Sequence, residues 1–197
     1  MKKILLLIIL FLILCCNFSI YAEVSYEGIG DVDKLVYTIN RQFTERLRKQ
    51  YGLKILSNTL GGPHEKIEVI GISLYTTQLL NKKEARELII SCFESYLREI
   101  FENQELQSHL CDSFSLLNLE LDIYVNNKKR DSEKFRNLGM VGIRSGEVEF
   151  IVFNPENSPP ILSDEYEPYE EALRIVQEER KALLDASHDF FQCILKK

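Results

Sequence analysis

An α+β fold is predicted by three stretches of this sequence. Asn81 to Asn103 carries apolar residues at helical spacing behind a capped start. Leu119 to Val125 alternates apolar and polar residues with a period of two. Leu138 to Phe153 holds two apolar runs around Ser145-Gly146, a tight hairpin signal. Simple connections between such elements favour a mainly antiparallel sheet of about five strands with three main helices packed on one face. The expected order is α-β-β-α-β-β-β-α.

An export segment precedes the fold. Lys2 and Lys3 form a positive start, Ile4 to Cys16 is an unbroken apolar run of thirteen residues, and Ala22 offers a small residue for cleavage. Met1 to Ala22 therefore reads as a secretory signal peptide. The run is short for a membrane span, which needs about 20 apolar residues. The alternatives are an uncleaved anchor extended through Asn17–Tyr21, or lipidation at Cys15 or Cys16, each of which follows a residue larger than the usual small one. The expected organisation is 1–22 signal peptide, 23–30 polar lead-in with two glycines, and 31–197 a single α+β domain.

Loss of Lys2 and Lys3 changes the formal charge from −6 to −8. An acidic protein of mixed charge argues against a nucleic-acid or anionic-membrane binder. The absence of Trp speaks against a sugar-stacking or interfacial role. Three cysteines remain after cleavage: Cys92, Cys111 and Cys193. Their spacings fit no disulfide framework; Cys92 falls in a helix stripe as a small hydrophobe, and Cys111 with Cys193 is the more plausible pair.

From Asp31 a helix is predicted by Val32, Leu35, Val36, Ile39, Phe43 and Leu47. Acid at its start and Arg46, Arg48 and Lys49 at its end suit the helix dipole, and Gly52 is a natural stop. Leu53 to Ser57 reads as a short strand, Asn58 to Lys66 with Gly61-Gly62-Pro63 as a loop, and Ile67 to Thr77 as a strand with a bulge at Gly71. The glycine pair is no phosphate loop, since no Gly-Lys-Ser/Thr follows it.

Asn81 with Glu84 three residues later makes a capping box for the central helix. Its stripe runs through Ala85, Leu88, Ile89, Cys92, Phe93, Tyr96, Leu97, Ile100 and Phe101, opposite a charged face where Glu94 and Arg98 are placed to pair. Glu105 to Leu117 is a connector with one or two helical turns. Asn127 to Asn137 is a charged, partly basic loop, and Asn154 to Pro168, with four prolines, an irregular crossing. The final helix starts at Pro168 behind a cluster of acids. It is long for a globular helix, so a break is expected near Asp185 to His188.

The run Glu84-Ala85-Arg86-Glu87-Leu88-Ile89, then Leu106, Leu110 and Phe114, the strand Leu119 to Val125 and Glu170-Glu171-Ala172-Leu173 together resemble an uncharacterised family of small exported bacterial proteins. The likeness covers roughly residues 31–176. It implies export and brings no assigned activity and no functional residue.

The sequence lacks the spacings of a zinc-ligand motif, a nucleophile elbow or a Cys-x-x-Cys pair. No catalytic, cofactor-binding or metal-ligating residue is assigned. His109 and Cys111, with Asp112 and Cys92, surround a metal only if the connector is extended. The densest acids run from Asp164 to Glu171 with Tyr166 and Tyr169, and are read first as complements to a helix N-terminus. Glu147 and Glu149 would join Glu120 and Asp122 in an acidic surface suited to a basic partner, given the right strand register.

Two functions are carried forward. One is a non-catalytic exported, periplasmic or secreted module that binds another protein, or assists an envelope assembly, through the helix-free sheet face lined by Tyr124 or through the Asn127–Asn137 loop. The alternative is a small hydrolase or metal-dependent enzyme with a loop-assembled site drawn from Asp164–Glu171, His64 and His109.

Overall fold

Helix α1 spans Asp31–Tyr51, because Val36, Ile39, Phe43 and Leu47 recur on one face and are buried there. Gly52 takes a φ of 71° and its N–H donates to the Arg48 carbonyl at 3.0 Å, closing the helix. The computed structural model in which this is seen describes residues 30–63, 66–125, 138–153 and 161–195, with side chains for all but 153, 161–163 and 186–195 of these. The signal-peptide segment, His64 and the Asn127–Asn137 loop lie outside the described residues.

The chain continues as β1 (Lys54–Gly61), β2 (Val69–Thr76), α2 (Lys82–Phe101), the single turn α3 (Gln104–Gln107), β3 (Leu119–Val125), β4 (Leu138–Arg144), β5 (Glu147–Phe153), β6 (Ile161–Pro168) and α4 (Tyr169–Leu195). The strands form one sheet in sequential order, β1 to β6. All neighbours are antiparallel except β2 and β3, which run parallel. Parallel neighbours need a long crossover, and α2 supplies it.

The α+β class and element order follow the prediction, with six strands rather than five. The sixth is Ile161–Pro168, expected as part of an irregular crossing. β1 extends to Gly61, into the expected loop, because it pairs with β2 along its whole length. Gly71 carries no bulge; the register shift lies on β1 between Ile55 and Ser57. A Cβ at Gly71 would lie 3.0 Å from both the Thr59 and the Glu120 side chains, so close neighbours on both sides call for glycine. Helix α4 runs unbroken to Leu195. No glycine or proline interrupts it after Pro168, and these are the usual causes of a sharp kink.

One sheet face carries the core. Ile70, Ile72 and Leu74 pair in register with Leu119, Leu121 and Ile123, and Val141, Ile143, Val148 and Phe150 continue the layer. The capping box at Asn81 and Glu84 is formed as predicted, with bonds of 3.0 and 2.9 Å, and starts α2 over this layer. Of its stripe, Ala85, Ile89, Cys92, Phe93, Tyr96 and Ile100 are buried. Phe101 is 40% exposed and packs against Phe114 instead. Ile90, outside the stripe, is fully buried, because helices flank α2 on both sides. On one flank Arg46 of α1 pairs with Glu99. On the other Lys83 meets Glu179 at 3.1 Å, and Arg180 approaches Glu87 and Glu94, so Glu94 turns to α4 rather than to Arg98. No helix among the described residues is long and apolar enough to cross a membrane.

Candidate protein-binding surface

Strand alternation sends every second side chain to the face opposite the core, and no described helix packs there. Two rows cross this second face. One runs Ser73, Asp122, Gly142, Glu149, Tyr166 over β2 to β6; the other runs Tyr75, Tyr124, Met140, Ile151, Asp164. The register thus brings the acids of β3 and β5 onto one surface. Glu149 lies two strands from Asp122, with Gly142 between them.

Asp122 is the centre of the first row. Its residue is only 3% exposed. The Arg144 guanidinium grips it from both sides, Nε to Oδ1 at 3.3 Å and Nη2 to Oδ2 at 2.5 Å. Ser73 Oγ adds a longer contact at 3.4 Å. A Cβ on Gly142 would meet Asp122 Oδ1 at 2.5 Å, so the carboxylate lies across the glycine in space no other residue leaves free. The bond to Asp122 raises the Arg144 pKa further. Burial, and then the Asp122 charge, raise that of Tyr124.

The pair neutralises Asp122, but Glu120, Glu147, Glu149 and Asp164 leave the surface acidic against Lys54, whose ammonium sits 5.8 Å from the Tyr75 ring centre. Met140 and Ile151 are opposite one another, 4% and 8% exposed, and stand apart from the main core. Tyr124 is half-buried beside Met140, and Tyr166 is 56% exposed.

Tyr166 donates to Glu149 Oε1 at 2.7 Å. That bond to a carboxylate, with lesser help from burial and charge, pushes its phenol up to about 12. The neutral phenol is the favoured form, so this contact stabilises the fold below the ordinary tyrosine value of about 10 and is lost as pH rises through the folded value. In a ring-carbon NMR titration Tyr166 is expected to stay protonated at pH 11, and Glu149→Ala to return its ionisation toward about 10. Ionisation near 10 in the unaltered protein would mean that the bond does not persist in solution.

The acidic stretch from Asp164 to Glu171 is divided by the fold. Asp164 and Tyr166 point to the second face, while Glu165 and Glu167 point to the core side and meet Lys82 at 2.6 Å and Arg86 at 2.7 Å. Glu170 and Glu171 lie in the first turn of α4. His109 is elsewhere: its carbonyl accepts from the Ile67 N–H just before β2. Four strand spacings, about 19 Å in all, separate β2 from β6. Cys111, expected to pair with Cys193, is a free thiol 3.5 Å from Ser113 Oγ, and the side chain of Cys193 lies outside the described residues. Cys92 is also free, and burial pushes its thiol up to about 12. Among the described residues no three His, Cys, Asp or Glu side chains converge in a metal-ligating group.

Among the described residues, two of the clefts lie off this surface. One of about 420 Å³ sits between the start of α1 and the β1–β2 turn, lined by Val32, Asp33, Tyr37, Leu60 to Pro63, Lys66 and Ile67. Lys66 is engaged there by the Ser108 and Leu110 carbonyls, both at 3.3 Å. The other, about 400 Å³, is lined by Arg46, Ser95, Arg98, Glu99, Glu102 and Asn103. Neither lining joins a histidine to a carboxylate, the convergence an acid–base site requires.

Sequence reasoning placed Tyr124 here and, given the right register, Glu120, Asp122, Glu147 and Glu149; it set Asp164 among the acids of a helix start and missed Arg144. A lone arginine at a strand end carries no signal until the register sets it beside Asp122. No family model, curated protein or solved structure matches this chain.

Proposed function

We propose that this chain is an exported, non-catalytic module that binds a basic protein through the second face of its sheet. The observation that carries the proposal is the cross-sheet row of carboxylates and tyrosines on the face that no described helix covers. Tyrosine is a residue of protein interfaces, offering a large rigid body with a polar tip. The excess of acid selects a partner of opposite charge and speeds its approach. The signal-like Met1–Ala22 segment and the resemblance to small exported bacterial proteins support the export half of the reading.

The test places a photo-crosslinking side chain at Tyr124, at Tyr166 or at Lys49 of α1 in the native host. The expected result is one basic adduct shared by the two sheet positions and missing from Lys49, in a chain whose intact mass begins at Glu23. Glu149→Lys with Asp164→Lys is expected to abolish it. The same adduct from Lys49, or an adduct indifferent to charge reversal, sinks the proposal.

A further inference from the structure

The two edges of the sheet are built differently. β6 is defended: Asp164, Glu165 and Glu167 line it, and Pro168 ends it. Charges and proline are the usual means by which an edge avoids pairing with another chain. β1, reading Lys-Ile-Leu-Ser-Asn-Thr-Leu-Gly, has one charge, at its first residue, and no proline. Five of its eight residues are exposed, among them Ile55 at 41% and Leu56 at 58%. Among the described residues no strand pairs with its outer side. Beside that lysine, its protective device is the bulge between Ile55 and Ser57.

The charges that border β1 define what can pair with it. On α1 the buried face points to the sheet and Arg46 reaches toward α2. At 100° per residue, Arg41 and Arg48 then fall on the flank away from α2, above the β1 edge, where Arg48 is paired with Glu45 at 2.8 Å and Arg41 supplies the basic character. Both are exposed, as is Lys54 in the strand itself. A second copy related by a two-fold axis would set this basic flank against its own image, which costs energy. An acidic partner gains from it.

We propose that the β1 edge takes an extended, acid-flanked segment of a partner protein as a seventh strand. Backbone N–H and C=O groups of Lys54 to Leu60 supply the pairing, Ile55 and Leu56 the apolar contact, and Arg41 and Lys54 the preference for acid. This site lies at the sheet's edge, meets the second face at Lys54, and selects the opposite charge.

The test uses the full chain and a blocked peptide of alternating valine and threonine with two glutamates at each end. Binding is followed by calorimetry and by amide hydrogen exchange. The expected result is slowed exchange confined to β1 and its neighbours. N-methylation of one alternating set of peptide nitrogens is expected to abolish binding and methylation of the other set to leave it, since only one set faces the edge. Ile55→Glu with Leu56→Glu, both at exposed positions, is expected to weaken binding at least tenfold, while Tyr124→Ser leaves it unchanged. No binding, preference for lysine-flanked peptide, equal effects of the two methylated sets, or a β1-dependent dimer without peptide would each overturn the proposal.

Discussion

Asn40→Ala is expected to lower the unfolding free energy by about 3–5 kcal/mol, read from urea titration. Asn40 is fully buried in α1, among apolar neighbours. Its Oδ1 accepts from the Tyr96 hydroxyl at 2.7 Å, and its Nδ2 donates to Asn58 Oδ1 at 2.9 Å and, more weakly, to the Gly71 carbonyl at 3.5 Å. One amide therefore ties α1 to α2, β1 and β2. Tyr96 is itself fully buried, stacks on Phe43 with ring centres 4.9 Å apart, and has its ionisation pushed far up by burial. Truncating Asn40 leaves a cavity and strands that hydroxyl, which then bears its desolvation cost alone. Adding Tyr96→Phe removes the stranded group, so the double variant is expected to regain about 1 kcal/mol over Asn40→Ala. Strict additivity, or a loss below about 1 kcal/mol, would mean that water or another group replaces the amide.

That network also shows what a sequence conceals. Val36, Ile39, Phe43 and Leu47 announce their face by spacing, and the structure buries them. Asn40 sits within that face, but a polar residue between apolar ones reads as an interruption until its partners on three other elements are known. The alternation from Leu119 to Val125 and the Ser145-Gly146 hairpin were legible for a similar reason. The strand alternates apolar and polar residues with a period of two, and in the turn Ser145 and Gly146 take φ of 50° and 79°, which glycine and small polar residues tolerate.

β6 was hidden by the same physics. A strand is recognised by apolar side chains on one face, yet Glu165 and Glu167 hold the core side of β6 by ion pairing and Tyr166 holds the other. With prolines just before it and Pro168 at its end, the segment has the composition of a loop. The candidate surface was half legible. Period-two reasoning placed Glu120, Tyr124, Glu147 and Glu149 on polar sides of their strands. Which of them share a neighbourhood depends on register across β4, whose residues Leu138 to Ile143 are all buried and so reveal no outward side.

The ion pair that stands in for an apolar contact on β6 has the other large expected effect. Arg86 Nε and Nη2 meet the two Glu167 oxygens at 2.7 and 3.0 Å, in a fork that fits carboxylate geometry. The side chains are 13% and 14% exposed, and the guanidinium also lies 5.6 Å from the Phe150 ring centre. Glu167 thus supports Arg86, which in turn covers Phe150 at the rim of the core. Arg86→Met is expected to cost about 3 kcal/mol, because it leaves a carboxylate largely out of water without its partner. Arg86→Met with Glu167→Leu removes both charges and keeps the volume, so it is expected to fall within about 1 kcal/mol of the unaltered protein. Lys82 with Glu165 makes a useful control on the same two elements. At 42% and 61% exposure that pair is screened by solvent, and breaking it is expected to leave the unfolding midpoint nearly unchanged. Chemical denaturation of the three variants beside the unaltered protein separates the outcomes. A double variant as weak as Arg86→Met would show that the fork positions β6 against α2 in a way that apolar packing does not replace.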